Sequence, residues 1–558
     1  MSNFIKKPVE RPSEFCQRNP RQVSDRTFFI DASNQNFTTI PLEILILKEL
    51  EEVHLENNQI EEIPQGIQHL KNVRILYLNK NKLRKLCPQL GKLRSLEGLD
   101  LSHNPLQSTS LQVLSNLGTL RELRLYHIDL KEFPTIICKY LHHLELLGLS
   151  GNSLKALPHE IVNQTKLREI YLKQNQFEVF PGELCYLSNL EIIDLDENKL
   201  TIIPEEIGNL NSLKKFFVAR NSLPFLPESL SRCRRLSVLD FSHNRLHSIP
   251  RCFVELLEMT EISLNGNHLE KLPHFLGKWT SLHLLYVNSN SLRTLPHSFQ
   301  RLCNLRFLDV SRNLLERCPE LICTLQNLEV LALDDNKLRQ LPSDFGSLSK
   351  LKILGLTGNQ FLSFPEEIFS LESLEKLYLG QDQGVKLTCI PEKIGKLQNL
   401  EELYVENNCL ESLPVSLGSM PNLKILNCRH NLLRKLPNSI CYAQALKELL
   451  LDDNKITHLP ENLDSLVNLK ALTLLDNPME EPPLEVCSKG NEAIWAYLKE
   501  TREKNKMATK IQAWWRGLMV RKGLGPYEEL KSRKKGRSSP KDKKGKKNEK
   551  AAPVKKKK

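Results

Sequence analysis

Asparagine returns at a spacing close to 23 residues along most of this 558-residue chain, and this column constrains the fold more than any other feature. It occupies seventeen such positions: Asn58, Asn81, Asn104, Asn152, Asn175, Asn198, Asn221, Asn244, Asn267, Asn290, Asn313, Asn336, Asn359, Asn408, Asn431, Asn454 and Asn477. Gln35, Ile128 and Asp382 fill the three remaining positions. A fixed period of this length predicts a stacked array of repeats rather than a compact domain.

Each repeat combines a short apolar strand with a returning limb. In LGLSGNSLKALP, which begins at Leu147, the alternation of apolar and small residues predicts a strand with one buried face, and Pro158 opens the limb. The leucines of one coil can be buried only against neighbouring coils. The asparagine amide carries donors and an acceptor, so we expect it to satisfy backbone groups of its own coil and the adjacent one.

These residues resemble the leucine-rich repeat family, in the 23-residue form LxxLxLxxNxLxxLPxxIxxL. The resemblance implies an α/β solenoid, a horseshoe of about 20 repeats of 23 residues over residues 25–487, with parallel strands on the concave face. The polar residues 1–24 before it are predicted to be disordered. Two units break the pattern: one between Leu106 and Leu120 lacks the LP element, and one from Gly380 holds three extra residues. Each break indicates either a loosened coil or a bulge that contacts a partner.

Cysteine placement indicates a reduced, intracellular protein. Five cysteines lie ten residues after the asparagine position, where other repeats have glycine: Cys138, Cys185, Cys323, Cys441 and Cys487. Cysteine in such a slot behaves as a small buried apolar group, and the sequence has no CxxC pair. There is also no apolar leader and no long apolar run, so a cytoplasmic protein without a membrane span is expected.

Two helical segments are predicted after the last repeat. Residues 488–500 are expected to form a capping helix, with Ile494 and Leu498 at helical spacing. Residues 501–524 contain ATKIQAWWRGLMVRKGL, which resembles an IQ motif, IQxxxRGxxxRxxL. The resemblance implies a helix bound by calmodulin or a calmodulin-like EF-hand protein, often without calcium. The alternative is an amphipathic helix that folds back on the array or lies on a membrane surface.

The IQ resemblance assigns the contact with the EF-hand partner to nine residues. They are Ile511, Gln512, Trp514, Trp515, Arg516, Gly517, Leu518, Arg521 and Leu524. An apolar helix face suits the groove of an EF-hand lobe, and the flanking basic residues suit its acidic surface.

The last 34 residues, 525–558, form a Lys-rich tail with fifteen Lys/Arg and four Asp/Glu. The tail has no apolar periodicity and is predicted to be disordered. Nuclear targeting, or contact with an acidic polymer such as nucleic acid, is the alternative role for it.

A protein-binding surface is predicted on the concave face of the array. Aromatic residues recur between the two strand leucines: Tyr77, Tyr171, Phe217, Tyr286, Tyr378 and Tyr404. Aromatic residues interspersed with aspartates on a rigid sheet suit the binding of an unidentified globular protein partner. The alternative is that these surface residues only keep the array soluble.

No catalytic, cofactor or metal site is predicted, because phosphate-binding, hydrolase and metal-spaced motifs are missing from the sequence. His103 and His127 occupy equivalent positions in neighbouring repeats and could stack, but two histidines alone do not indicate a metal site. The sequence therefore predicts a non-enzymatic interaction scaffold with no small-molecule substrate. The alternatives are a regulatory subunit or effector in a small GTPase or phosphatase pathway and, more weakly, nucleic-acid association through the tail.

The combination of repeat array and IQ helix resembles the leucine-rich repeat and IQ domain-containing proteins. Related calmodulin-carrying proteins occur in cilia and flagella, so the resemblance adds a ciliary or flagellar location to the cytoplasmic and nuclear ones.

Overall fold

A computed structural model of the protein describes residues 28–522. The predictions made for residues 1–24, for Leu524 and for the tail 525–558 lie outside this range.

Twenty short strands form one parallel sheet, in which each strand pairs with the strands that precede and follow it in the chain. The strands are β1 (Phe29–Asp31), β2 (Glu52–His54), β3 (Ile75–Tyr77), β4 (Gly98–Asp100), β5 (Glu122–Arg124), β6 (Leu146–Gly148), β7 (Glu169–Tyr171), β8 (Ile192–Asp194), β9 (Lys215–Phe217), β10 (Val238–Asp240), β11 (Glu261–Ser263), β12 (Leu284–Tyr286), β13 (Phe307–Asp309), β14 (Val330–Ala332), β15 (Ile353–Gly355), β16 (Lys376–Tyr378), β17 (Glu402–Tyr404), β18 (Ile425–Asn427), β19 (Glu448–Leu450) and β20 (Ala471–Thr473). The predicted solenoid of about 20 repeats is confirmed.

The returning limbs are short helices, mostly of the 3-10 type. Two are α-helices, α1 (Leu42–Leu45) and α2 (Ile136–Tyr140). The 3-10 helices span Gln65–His69, Pro88–Lys92, Ser108–Asn116, His159–Asn163, Gly182–Tyr186, Glu205–Asn209, Glu228–Arg232, Arg251–Glu255, His274–Lys278, His297–Arg301, Glu320–Thr324, Ser343–Ser347, Glu366–Ser370, Glu392–Lys396, Val415–Ser419, Asn438–Tyr442 and Leu463–Ser465.

Strand register explains which side chains can meet a partner. In β3 the middle residue, Leu76, is fully buried, while Ile75 and Tyr77 on either side are half-buried and lie on the outer face. Tyr77 pairs with Asp100 of the next strand, so equivalent residues line up in rows across the sheet. The outer face therefore presents two rows, one from the first and one from the third residue of each strand.

The asparagine column forms the predicted ladder of hydrogen bonds. Asn244 donates its amide hydrogens to the backbone carbonyls of Val218 and Phe241, at 2.9 and 3.0 Å. Its Oδ1 accepts the backbone N–H of Leu223 in the preceding repeat, at 3.0 Å. Each asparagine thus satisfies backbone groups of two coils, as predicted.

Close packing of the limbs explains the small residues ten positions after the asparagine. At Gly208, an added Cβ would lie 2.6 Å from the carbonyl oxygen of Ser229 in the next limb. Cys138, Cys185, Cys323 and Cys441 are buried in the same slot, and Cys487 is half-buried. Burial raises the pKa of Cys138 to about 12, which keeps this thiol protonated and supports the predicted structural role.

The repeat without the LP element replaces the usual limb by the nine-residue 3-10 helix Ser108–Asn116. In the following repeat Ile128 cannot supply an amide, and the backbone N–H groups of Ile128 and Leu130 both donate to Oδ1 of Asn152, at 3.2 and 3.0 Å. The bond from Leu130 is the regular one of the ladder, whereas the N–H of Leu106, which an amide at position 128 would accept, donates to the carbonyl oxygen of Asn104 at 2.8 Å, so the ladder is interrupted at this coil.

A smaller compact unit consists of residues 458–465 and 479–522. It contains two α-helices, α3 (Leu484–Cys487) and the 32-residue α4 (Asn491–Lys522). α4 contains residues 491–500 of the predicted capping helix and residues 501–522 of the predicted IQ helix, which therefore form one continuous helix. Residues 499–510, KETREKNKMATK, are mostly strong helix formers and include no glycine or proline, so nothing interrupts the helix there.

Candidate functional site

The first half of α4 is anchored within the smaller unit. Ile494 and Leu498 are buried, and α4 packs against α3 and the 3-10 helix Leu463–Ser465. The guanidinium of Arg502 pairs with the carboxylate of Asp464 and donates to the backbone carbonyl of Glu461, at 3.0 Å. These contacts fix one face of the helix as far as Arg502.

The second half of α4 exposes large apolar side chains that helices normally bury. Ile511 is 64% exposed, Trp514 59% and Trp515 53%. At 3.6 residues per turn, the centre of this stripe lies roughly 130° around the helix from the face that carries Ile494 and Leu498. The apolar stripe therefore points away from the anchored face.

The structure places the residues of the IQ motif along this exposed half. Ile511, Gln512, Trp514, Trp515 and Arg516 are exposed. Gly517 and Leu518 are half-buried, and Arg521 donates from Nε to the carbonyl oxygen of Gly517 at 3.0 Å. Leu524 lies beyond the described residues.

Charge on this half of α4 is basic. Lys510, Arg516, Arg521 and Lys522 are all exposed around the apolar stripe. An apolar helix face bordered by cations is chemically suited to an acidic partner with an apolar groove.

The six aromatic residues predicted on the sheet are all third residues of strands, so they share the outer face. The structure brings two of them together, because Tyr378 and Tyr404 stack with ring centroids 4.7 Å apart. Tyr171 and Phe217 are separated by the strand that carries Asp194. From Tyr77 to Tyr404 the row runs ~65 Å at the usual strand spacing, so one small partner cannot contact all six.

Other aromatic contacts on this face were not predicted from the sequence. His54 lies between Phe29 and Tyr77, with ring centroids at 5.1 and 4.8 Å, and Phe307 packs on Tyr286 at 4.6 Å. Phe29 and Phe307 are first residues of their strands. The two-residue period of a strand could have identified them, because first and third residues lie on the same face.

A charge ladder just before the strands was also missed. Eight consecutive repeats alternate in sign there: Glu51, Arg74, Glu97, Arg121, Glu145, Arg168, Glu191 and Lys214. Arg74 binds Glu97 through two hydrogen bonds of 3.1 and 3.0 Å, and Lys214 pairs with Glu191 at 2.6 Å. An open cavity of about 680 Å³ runs along this ladder. Because the charges pair with one another, the cavity favours neither an anion nor a cation.

The predicted stacking of His103 on His127 is confirmed, with ring centroids 4.6 Å apart. Within residues 28–522, no cluster of three or more His, Cys, Asp or Glu side chains is arranged to hold a metal ion. In the same range, no helix has both the length and the hydropathy needed to cross a membrane.

Family models described as leucine-rich repeats match residues 71–130, 165–223 and 258–315. A leucine-rich repeat region model matches residues 296–406, and a two-copy repeat model matches residues 398–440. These matches agree with the resemblance inferred from the asparagine column.

Two curated relatives align with nearly the whole chain. Leucine-rich repeat and IQ domain-containing protein 4 of Mus musculus is 78% identical over 545 residues, which covers 98% of this chain and 91% of the relative. The Homo sapiens protein of that name is 76% identical over 544 residues, covering 97% of each chain.

Solved structures share the fold at lower identity. A leucine-rich repeat protein from Leptospira interrogans is 29% identical, with a TM-score of 0.57 over 75% of this chain and 94% of that chain. A plant peptide hormone receptor, solved in complex with RGF2, is 27% identical, with a TM-score of 0.57 over 79% of this chain and 81% of that chain.

Proposed function

The chain belongs to the leucine-rich repeat and IQ domain-containing protein family, and we propose that it is a non-enzymatic scaffold that holds two proteins. One is calmodulin or a calmodulin-like EF-hand protein, bound by α4. The other is a globular protein, bound by the outer face of the sheet.

The EF-hand half of the proposal rests on the exposed stripe of Ile511, Trp514 and Trp515, on a helix that is anchored by a different face. Exposure of the tryptophan and isoleucine side chains to water is unfavourable, and their burial in an apolar groove supplies the driving force for binding. Since the anchored and exposed faces differ, a partner can enclose the stripe without displacing Ile494 and Leu498.

The outer face of the sheet supports the second half of the proposal. Its side chains stand on a rigid backbone, and the paired rings of Tyr378 and Tyr404 and of Tyr286 and Phe307 are preformed. Rigid aromatic side chains lose little entropy on binding and are frequent anchors of protein interfaces. The plant peptide hormone receptor of the same fold was solved in complex with RGF2, which is consistent with a binding role for a solenoid of this kind.

Titration calorimetry of the full chain with calmodulin, with calcium and with a calcium chelator, tests the proposal. We expect one calmodulin per chain in at least one of the two conditions. The matched control is the full chain carrying Ile511→Asp and Trp515→Asp, which should release no binding heat. Absence of binding heat from the unaltered chain in both conditions would refute the EF-hand half.

A further inference from the structure

Two carboxylates on the outer face of the sheet lean toward each other from opposite sides. Asp334, which follows β14, lies over Gly355 of the next strand, where an added Cβ would collide with its Oδ2. Glu406, which follows β17, lies over Gly380 of the preceding repeat, where an added Cβ would come within 2.9 Å of its carboxyl carbon. Both carboxylates therefore occupy space that a larger residue would fill, and the charges of both act on the phenol of Tyr378.

Only one of the two carboxylate oxygens of Asp334 has a hydrogen-bond partner among the described residues. Its Oδ1 accepts the backbone N–H of Thr357 at 2.9 Å, whereas its Oδ2 is buried and has no hydrogen-bond partner among the described residues. Burial, together with the negative charge of Asp309, raises the pKa of Asp334 to about 6. This carboxylate therefore lacks a counter-ion.

Asp452 shows the same arrangement with a basic partner in place. Asp452, five repeats further on, also accepts a backbone N–H of the next repeat through Oδ1, from Leu475 at 2.9 Å. Its Oδ2 accepts a hydrogen bond from Nε of Arg429 at 2.7 Å. Arg429 stands 23 residues before Asp452, and the residue 23 before Asp334 is Ser311, which carries no charge.

The basic side chains close to the site are already engaged, since Arg429, whose charge acts on Glu406, pairs with Asp452. Among the strand residues of β13 to β17, all within the described range, Lys376 is the single basic residue, and it pairs with Glu402 at 2.7 Å. The site around Asp334 thus offers carboxylate oxygens that could bind a cation, and the strand residues of β13 to β17 leave no basic side chain to bind them.

We propose that Asp334, Glu406 and Tyr378 form a site for an arginine or lysine side chain presented by a basic, extended segment of the protein partner. This inference rests on the proposed function of the sheet face and names the chemistry of its partner. The bonding of Arg429 to Asp452 indicates how a guanidinium would bind the unpartnered oxygen of Asp334. A cation beside Tyr378 and Tyr404 would also gain from the negative faces of the rings.

A basic peptide binding to the full chain tests this site. The probe is a fluorescein-labelled nine-residue peptide of alternating arginine and glycine, measured by fluorescence anisotropy. Asp334→Asn should weaken binding roughly 10-fold, as expected for the loss of one charge-assisted hydrogen bond. Ser311→Arg should weaken it as strongly, because the new guanidinium can take the place of the peptide, as Arg429 does at Asp452.

Ser242→Arg is the matched control. Ser242 is also the second residue after a strand-end aspartate, Asp240, but the residue 23 positions later is Asn265 rather than an acid. This variant adds the same charge to the same face and should change the affinity less than twofold.

Equal weakening by Ser311→Arg and Ser242→Arg would overturn the site in favour of a general charge effect. No peptide binding by the unaltered chain would overturn it too. Binding that appears only after residues 525–558 are removed would overturn the assignment to a separate partner. Calmodulin titration of the same samples distinguishes these outcomes from failure of the EF-hand proposal, which does not involve Asp334.

Discussion

Oδ1 of Asn244 accepts the backbone N–H of Leu223, one repeat earlier, at 3.0 Å, in a fully buried position. Repeated at the asparagine positions of the array, this contact ties each of those coils to the preceding one. The repeats are therefore held together by polar bonds as well as by their shared leucine core.

Replacement of Asn244 by alanine should lower the free energy of unfolding by about 2 kcal/mol, because buried backbone groups of two coils lose their partner. Urea denaturation followed by circular dichroism measures this change. Asn189 is the matched control, since it makes one exposed bond to the carbonyl of Thr165, at 2.8 Å. If Asn189→Ala destabilises the chain as much as Asn244→Ala, the ladder has no special structural role.

Arg502→Ala should loosen α4 from its anchored position. The variant leaves Asp464 without its guanidinium partner, in a pair where both side chains are largely covered, and should cost about 2 kcal/mol locally. Hydrogen exchange of residues 494–505 should become faster. Lys504→Ala is the control, because its pair with Glu500 is fully exposed, and unchanged exchange in both variants would refute the anchoring role.

Trp515→Gln should weaken binding of calmodulin to the full chain at least 10-fold, because the side chain that would fill the apolar groove becomes polar. Thr509→Ala, which alters the same helix outside the apolar stripe, should change the affinity less than threefold. Calorimetry checks both. Equal affinity of the Trp515 variant and the unaltered chain would show that the exposed stripe is not the contact surface.

Stability of the first repeats should depend on the charge of His54. Burial alone would lower the pKa of His54, but hydrogen bonds to Glu52 at 2.7 Å and to Glu56 outweigh it and raise the pKa to about 9. A raised pKa means that the stabilisation is complete below about pH 6.5, the unfolded value, and is lost as the pH rises through 9.

The unaltered chain should therefore lose about 1 kcal/mol more than His54→Gln between pH 6.5 and 9.5, a figure reduced for the partial exposure of the pair. Urea denaturation at several pH values checks this difference. Parallel pH dependence of the two proteins would contradict the assignment.

Contacts between equivalent positions of neighbouring repeats could be predicted from the sequence. A spacing of 23 residues fixes which coil a residue belongs to, so the asparagine ladder, the strand rows and the stacking of His103 on His127 could be predicted. The small residue required at Gly208 could be predicted as well, because glycine and cysteine share that slot.

Other features depend on which way a side chain leans, and the period does not determine this. Asp334 leans over Gly355, and Glu406 leans in the opposite direction over Gly380. The continuity of α4 was not predicted either, because residues 488–500 and 501–524 were expected to form two separate helices. The helix propensity of residues 499–510, rather than their polarity, determines the structure there.

Hydrogen exchange of the full chain, with and without calmodulin, measures whether the EF-hand protein binds the half of α4 that carries the exposed apolar stripe. We expect protection of residues 505–522 on binding and unchanged exchange in strands β1 to β20. Protection confined to the strands, or none in residues 505–522 at saturating calmodulin, would contradict this expectation.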